Sequence, residues 1–371
     1  MRDIIWTSAF SRNNLSTDGD TPHWGVHATT LAIASCGGAL FAYMQAPLAW
    51  MLGAMVATTV FTVAGRQTAI PPNLRLAMIT ILGVLLGAAF TPELTSQIPG
   101  WAVFVVLLVI FVVATNALSF LFFWKWGGLD TTTAYFASTP GGISEMAIVG
   151  EEYGGDVRII TLVHAVRILL VVSTIPFYFR MVLGYDVPSL PPTGASLLNI
   201  GGLEGFTLLS CAVLGFLIFR PLPLPATALL GPMVLSAMVH LMGISSSTPP
   251  NELIAMAQVV VGAAIGCRFS GMSWGFLQKA AFLSVTSGIL MIVAAVIAAF
   301  LLAHLVSLDQ QGILLSFVPG GLTEMSLIAL STGVDTAFVS TMHVLRIMMV
   351  IIFAPIMFGM VNKYLIRIQT K

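Results

Sequence analysis

Charge is what this sequence has least of. Asp, Glu, Lys and Arg make up 8% of its 371 residues, against about 25% in a soluble domain, whose surface must face water. No polar block is long enough for a soluble domain, so the chain reads as one membrane domain. Fifteen basic and fifteen acidic residues cancel to zero net charge, which leaves no basic surface for nucleic acid. Cysteine is scarce too: Cys36, Cys211 and Cys267 lie in apolar stretches without CxxC spacing, which argues against a disulfide framework or a thiolate metal site. Residues 1–23 mix Arg2, Asp3, Arg12, Asp18 and Asp20. They lack the basic-then-apolar plan of a cleaved signal and read as a cytoplasmic tail.

What is present is apolar: 57% of the residues are hydrophobic and the mean hydropathy is +0.98. The runs Trp101 to Phe123 and Ala280 to Ala303 each exceed the ~20 residues that cross a bilayer as helix.

The chain repeats itself. The stretch Thr139 to Phe179 aligns without a gap on Val318 to Phe358, at an offset of 179. Pro140, Gly141, Gly142, Glu145, Met146, Gly154, Asp156, His164, Arg167 and Pro176 meet Pro319, Gly320, Gly321, Glu324, Met325, Gly333, Asp335, His343, Arg346 and Pro355. Upstream, Pro-Pro-Asn at Pro71 matches Pro-Pro-Asn at Pro249, and Gly83 and Gly87 match Gly262 and Gly266. The domains are therefore a tail at 1–23, a first membrane repeat at 24–180, a periplasmic linker at 181–202 and a second repeat at 203–371.

Each half holds six apolar segments, and Pro-Gly-Gly interrupts the fifth, removing a helix donor and freeing φ. If that segment spans, the halves are parallel. If it dips in and returns, each half crosses five times and the second half is inverted. The positive-inside rule chooses between the two. The inverted layout puts twelve of the fifteen basic residues inside, Arg180 outside, and Arg167 and Arg346 within spans. The parallel layout gives nine inside against four outside. The fold expected is thus all-α and integral to the membrane, with about ten crossings as two inverted five-helix repeats. Each repeat carries a re-entrant Pro-Gly-Gly hairpin, and both termini are cytoplasmic. Such tips must line a cavity or be buried in protein, and broken helices meeting between inverted repeats are a plan of secondary transporters.

The candidate solute- or ion-binding residues cluster at these breaks: Gly141, Gly142, Ser144, Glu145, His164 and Arg167, with Gly320, Gly321, Thr323, Glu324, His343 and Arg346. Ser144 and Thr323 are N-cap-type residues, and each following glutamate can satisfy its own helix end, bind a cation or proton, or pair with an arginine. His164-x-x-Arg167 and His343-x-x-Arg346 each place both side chains on one helix face. Each arginine needs a carboxylate, a carbonyl or a bound anion as partner, while the histidines are either hydrogen-bonded packing residues or proton relays. Asn116, Gln258 and His240 read as polar bridges between helices.

The doubled Pro-Gly-Gly, with Asp-x-Arg at Asp156 in the first half and Leu-Arg at Leu345 in the second, resembles the AbrB-type membrane protein family, also labelled ammonia monooxygenase, from about residue 25 onward. Its layout is similar to that of the cation/proton antiporter and anion transporter superfamily, which implies transport. Some members are labelled as influencing gene expression. The monooxygenase label finds little support in the residues, because copper or non-haem iron needs convergent His and carboxylate ligands and each half offers one histidine at mid-span. The expectation is a transporter of the bacterial inner membrane, not an enzyme, binding a small solute between the repeats, with an anion as one candidate. It needs no cofactor, with Na+ or H+ as candidate coupling ions, the lipid bilayer as partner, no nucleic acid, and a homodimer as candidate assembly. The alternative is a membrane regulator or sensor.

Overall fold

The computed structural model describes residues 24–369 apart from 97, 186, 189, 191–195, 223, 273 and 305–308. The predicted tail at 1–23 and part of the linker lie outside the described residues. Every described regular element is helical: α1 (Trp24–Tyr43), α2 (Ala49–Val63), α3 (Pro72–Gly87), α4 (Ile98–Lys125), α5 (Thr131–Ser138), α6 (Ile143–Glu152) and α7 (Val157–Met181), then α8 (Gly202–Phe219), α9 (Thr227–Leu241), α10 (Asn251–Gly266), α11 (Trp274–Ala303), α12 (Gln310–Phe317), α13 (Leu322–Thr332) and α14 (Thr336–Gln369).

Among the described residues seven helices are long and apolar enough to cross a membrane: α1, α4, α7, α8, α10 with the turn after it, α11 and α14. The sequence leads to about ten crossings. The other three apolar helices, α2, α3 and α9, have 15 or 16 residues, about 23 Å at 1.5 Å per residue, short of a ~30 Å hydrocarbon core.

The helices sort into two groups. α1–α3 pack with α8–α10, and α4–α7 pack with α11–α14. The groups meet where α3 touches α13 and α14, and where α2 and the turn Cys267–Phe269 touch α7. Glycine makes the closest approaches. A side chain at Gly83 or Gly87 on α3 would run into the backbone of α9, at Leu229 and Met233. Gly262 and Gly266 on α10 press in the same way on Met51 and Met55 of α2. The third helix of each half therefore packs on the second helix of the other half. Where α2 and α9 begin, the equivalent residues Leu48 and Ala226 both adopt left-handed backbone, φ 45° and 49°.

The fifth segment of each half is a hairpin. Asp130 caps α5 by accepting from Thr133 N at 2.9 Å, and Asp156 caps α7 by accepting from Arg158 N at 2.8 Å. Between these caps α5 runs to the Pro-Gly-Gly break and α6 runs back. Asp156 N then donates to Thr133 Oγ1 at 2.8 Å, joining the end of the hairpin to its beginning. In the second half, Gly312 at the start of α12 lies against Val334 and Phe338, beyond the end of α13. Gly154 and Gly333 supply the left-handed residues after α6 and α13, φ 82° and 72°.

Candidate binding site at the helix breaks

Each tip is a short extended stretch between two half-length helices. Pro140 and Pro319 cannot donate a backbone hydrogen bond, and Gly142 and Gly321 stand as N-caps in extended conformation without a side-chain cap. The glutamate of each first turn fills the space beside them. The carboxylate of Glu145 sits where a side chain at Gly142 would go, and that of Glu324 does the same at Gly321. A carboxylate folded over the first turn of its own helix answers the exposed amides and the positive end of the helix dipole.

The expected pairing of Arg167 or Arg346 with a glutamate does not form. Arg346 is 2% exposed and donates to two tip carbonyls instead, Nη1 to Val318 O and Nη2 to Gly320 O, each at 2.8 Å. The glutamates are committed to their own helix ends, and the charges that act on them come from elsewhere. Arg268, just after α10, acts on Glu145, and Arg75, on the first turn of α3, acts on Glu324. Neither arginine stands out among the chemical motifs of the sequence. The signal available is a break in the repeat: at offset 179 Arg75 faces Ile254 and Arg268 faces Ala89.

The first tip is braced differently. His164 Nε2 lies 3.0 Å from Thr139 O and Nδ1 lies 2.8 Å from Ile160 O. A neutral ring can donate to only one of these two carbonyls. Asn116 on α4 donates to Thr139 Oγ1 at 3.1 Å and accepts from Ser138 Oγ at 2.8 Å. At the second tip these three positions are Ala295, Phe317 and Val318, so no polar brace is available and Arg346 supplies one. His343 reaches one turn further back, to Leu315 O at 2.9 Å, and its Nδ1 is buried without a partner. Arg167, 3% exposed, has Nε and Nη1 buried with no hydrogen-bond partner.

Of the remaining candidates, Ser144 is exposed, while Gly141, Gly142, Glu145, Gly321 and Thr323 are half-buried and Gly320 and Glu324 buried. His240 bridges its own helix to the following loop, with Nδ1 2.8 Å from Ser236 O and Nε2 3.0 Å from Ser247 O. Both amide atoms of buried Gln258 lack partners. A separate cavity of about 570 Å³ opens between the end of α3, the start of α8 and the end of α9, with Glu93, Glu204 and His240 on its wall. Among the described residues, no three His, Cys, Asp or Glu side chains converge as metal ligands would.

The comparisons with known proteins agree with the resemblance carried by the Pro-Gly-Gly pattern. The chain is 26% identical over 354 residues to a protein of Escherichia coli (strain K12) named "Putative regulator AbrB", covering 92% of this chain and 97% of that one. It is 25% identical over 355 residues to "Uncharacterized protein YhjN" of Bacillus subtilis (strain 168), covering 88% and 90%. No solved structure matches it significantly. The model of the family described as "Transition state regulatory protein AbrB" matches residues 50–362, well over half of the sequence, and the chain belongs to that family.

Proposed function

We propose that this protein is a carrier of a small solute in the bacterial cytoplasmic membrane, built as two repeats inserted in opposite orientation. It crosses the bilayer about ten times, with both termini inside. The solute binds between the two Pro-Gly-Gly tips, with Na+ or H+ as coupling ion. The observation that carries this reading is the pair of hairpins, the first of which returns to its start through the bond from Asp156 N to Thr133 Oγ1. Half-length helices that expose carbonyls and amides at their break suit a solute site, and they are tolerated in a bilayer only where protein or a water-filled cavity surrounds them.

A regulator's name attaches to the Escherichia coli relative, and a sensor would bind its ligand at the same tips. The two readings differ in access. A carrier opens its site to each side in turn, whereas a sensor needs one side only.

Two single substitutions test this, Ser144→Cys at an exposed position and Thr323→Cys at a half-buried one, each in a background lacking Cys36, Cys211 and Cys267. Gly142 and Gly321 are unsuitable because a side chain there displaces a glutamate. A membrane-impermeant thiol reagent should label the Ser144→Cys chain from the inside and the Thr323→Cys chain from the outside of oriented vesicles. Labelling of both from one side, or of neither, contradicts the carrier.

A further inference from the structure

The two tips have the same sequence elements and unequal chemistry. At the second tip the guanidinium of Arg346 is engaged by protein, through Val318 O and Gly320 O. At the first tip the carbonyl equivalent to Val318 O is Thr139 O, and His164 occupies it at 3.0 Å. The neighbouring hydroxyls of Ser138 and Thr139 are held by Asn116. Arg167 is thereby left with two buried N–H groups that nothing in the protein accepts. It is also close enough to Arg346 for the two charges to act on each other. Glu145 does not neutralise it, because that carboxylate is folded over the start of α6.

We infer that Arg167, and not Arg346, grips the solute, and that the group it grips is a carboxylate; this rests on the carrier reading above. The two donors without acceptors, Nε and Nη1, lie on different edges of the guanidinium, so a carboxylate meets one of them in a charge-assisted hydrogen bond. A phosphate dianion would bring a second charge, which the carboxylates of Glu145 and Glu324 would repel. A single negative charge balances the pair of buried arginines in part and brings Arg167 an acceptor that the protein does not supply. Arg346 is then a brace that keeps the second tip in shape.

The test is thermal unfolding of the purified full chain in detergent, titrated with sodium acetate, sodium propionate, sodium phosphate or sodium chloride at constant ionic strength. A ligand that binds the folded state raises its unfolding temperature in proportion to the logarithm of concentration above its dissociation constant. Acetate or propionate should raise the wild-type transition above the chloride control, and phosphate should not. Arg167→Lys keeps the charge and loses the fixed planar donors, so the carboxylate concentration giving half the maximal rise should increase at least tenfold. Arg346→Lys should start from a lower unfolding temperature and keep the wild-type carboxylate response. If it does not fold, Arg346→Gln, which retains a donor for the tip carbonyls, takes its place. Equal loss of response in both arginine variants overturns the inference, as does an unchanged response in Arg167→Lys. So does a wild-type chain that answers to phosphate alone or to no anion. Should the anion response fail while the Ser144→Cys and Thr323→Cys chains label from opposite sides, the carboxylate assignment falls and the carrier stands. Should the labelling fail, the carrier reading falls whatever the anions do.

Discussion

His164 and Arg346 do the same work on opposite tips: His164 Nε2 lies 3.0 Å from Thr139 O, and Arg346 Nη1 lies 2.8 Å from the equivalent carbonyl, Val318 O. Of the residues that mirror them, Arg167 has two buried nitrogens lacking partners and His343 has one, while Arg346 itself leaves only Nε without one. One repeated unit is thus present in two arrangements, one with the histidine on the tip and one with the arginine.

Removing His164 should convert the first arrangement into the second. In His164→Leu, Thr139 O loses the imidazole and keeps the backbone bond from Gly141 N at 2.9 Å, so the cost is that of one hydrogen bond, about 0.5–1.5 kcal/mol. Arg167 has the length to take that carbonyl as Arg346 takes Val318 O, which offsets part of the loss. The expected result in thermal unfolding is a modest fall in stability together with loss of the acetate response. A full acetate response in this variant would show that the two side chains do not compete.

Gly142→Ala and Gly321→Ala should each lower stability, because the added methyl falls on the carboxylate of Glu145 or Glu324. Loss of a helix-end partner costs about 1 kcal/mol. The pair Gly142→Ala with Glu145→Ala should therefore cost less than the sum of its single changes. A double-mutant cycle in chemical unfolding reads this directly, and strict additivity would mean that the glutamate does not occupy that space.

Gly87→Val and Gly266→Val should damage the fold more than either change at the tips. Both glycines let one helix lie against the backbone of a helix from the other half, Gly87 against Met233 and Gly266 against Met55. Overpacking of this kind costs about 1–3 kcal/mol or more. Gly100→Ala, with nothing within 4 Å of the added carbon, serves as the neutral control. Monodisperse yield after detergent extraction should fall for the first two and hold for the third.

Much of this architecture is written in the sequence, and the reason is specific. Pro140, Gly142, Glu145 and Asp156 recur at offset 179 because each has a local task that any copy of the unit must perform: breaking a helix, making room, or capping. The inequality of the tips is not legible from His164, Arg167, His343 and Arg346, since both halves carry the same pair. It comes from residues outside the motif. Asn116, Ser138 and Thr139 brace the first tip, and Ala295, Phe317 and Val318 leave the second to Arg346. The glutamate–arginine pairing expected from chemical types fails for a related reason. A carboxylate three residues past a glycine N-cap has its own helix end within reach, and that is where Glu145 and Glu324 lie.

The opposite insertion of the two halves is the claim on which the site depends, and paired reporter fusions test it most directly. The loops 92–100 and 268–279 are equivalent in the repeat, with Arg268 and Lys279 in the second and no Lys or Arg in the first. Alkaline phosphatase and a fluorescent protein, fused in separate chains after Gly100 and after Arg268, report the outer and the inner side respectively. The account predicts phosphatase activity without fluorescence after Gly100, and fluorescence without phosphatase activity after Arg268. The same signal at both positions would mean that the halves lie parallel, and would contradict it.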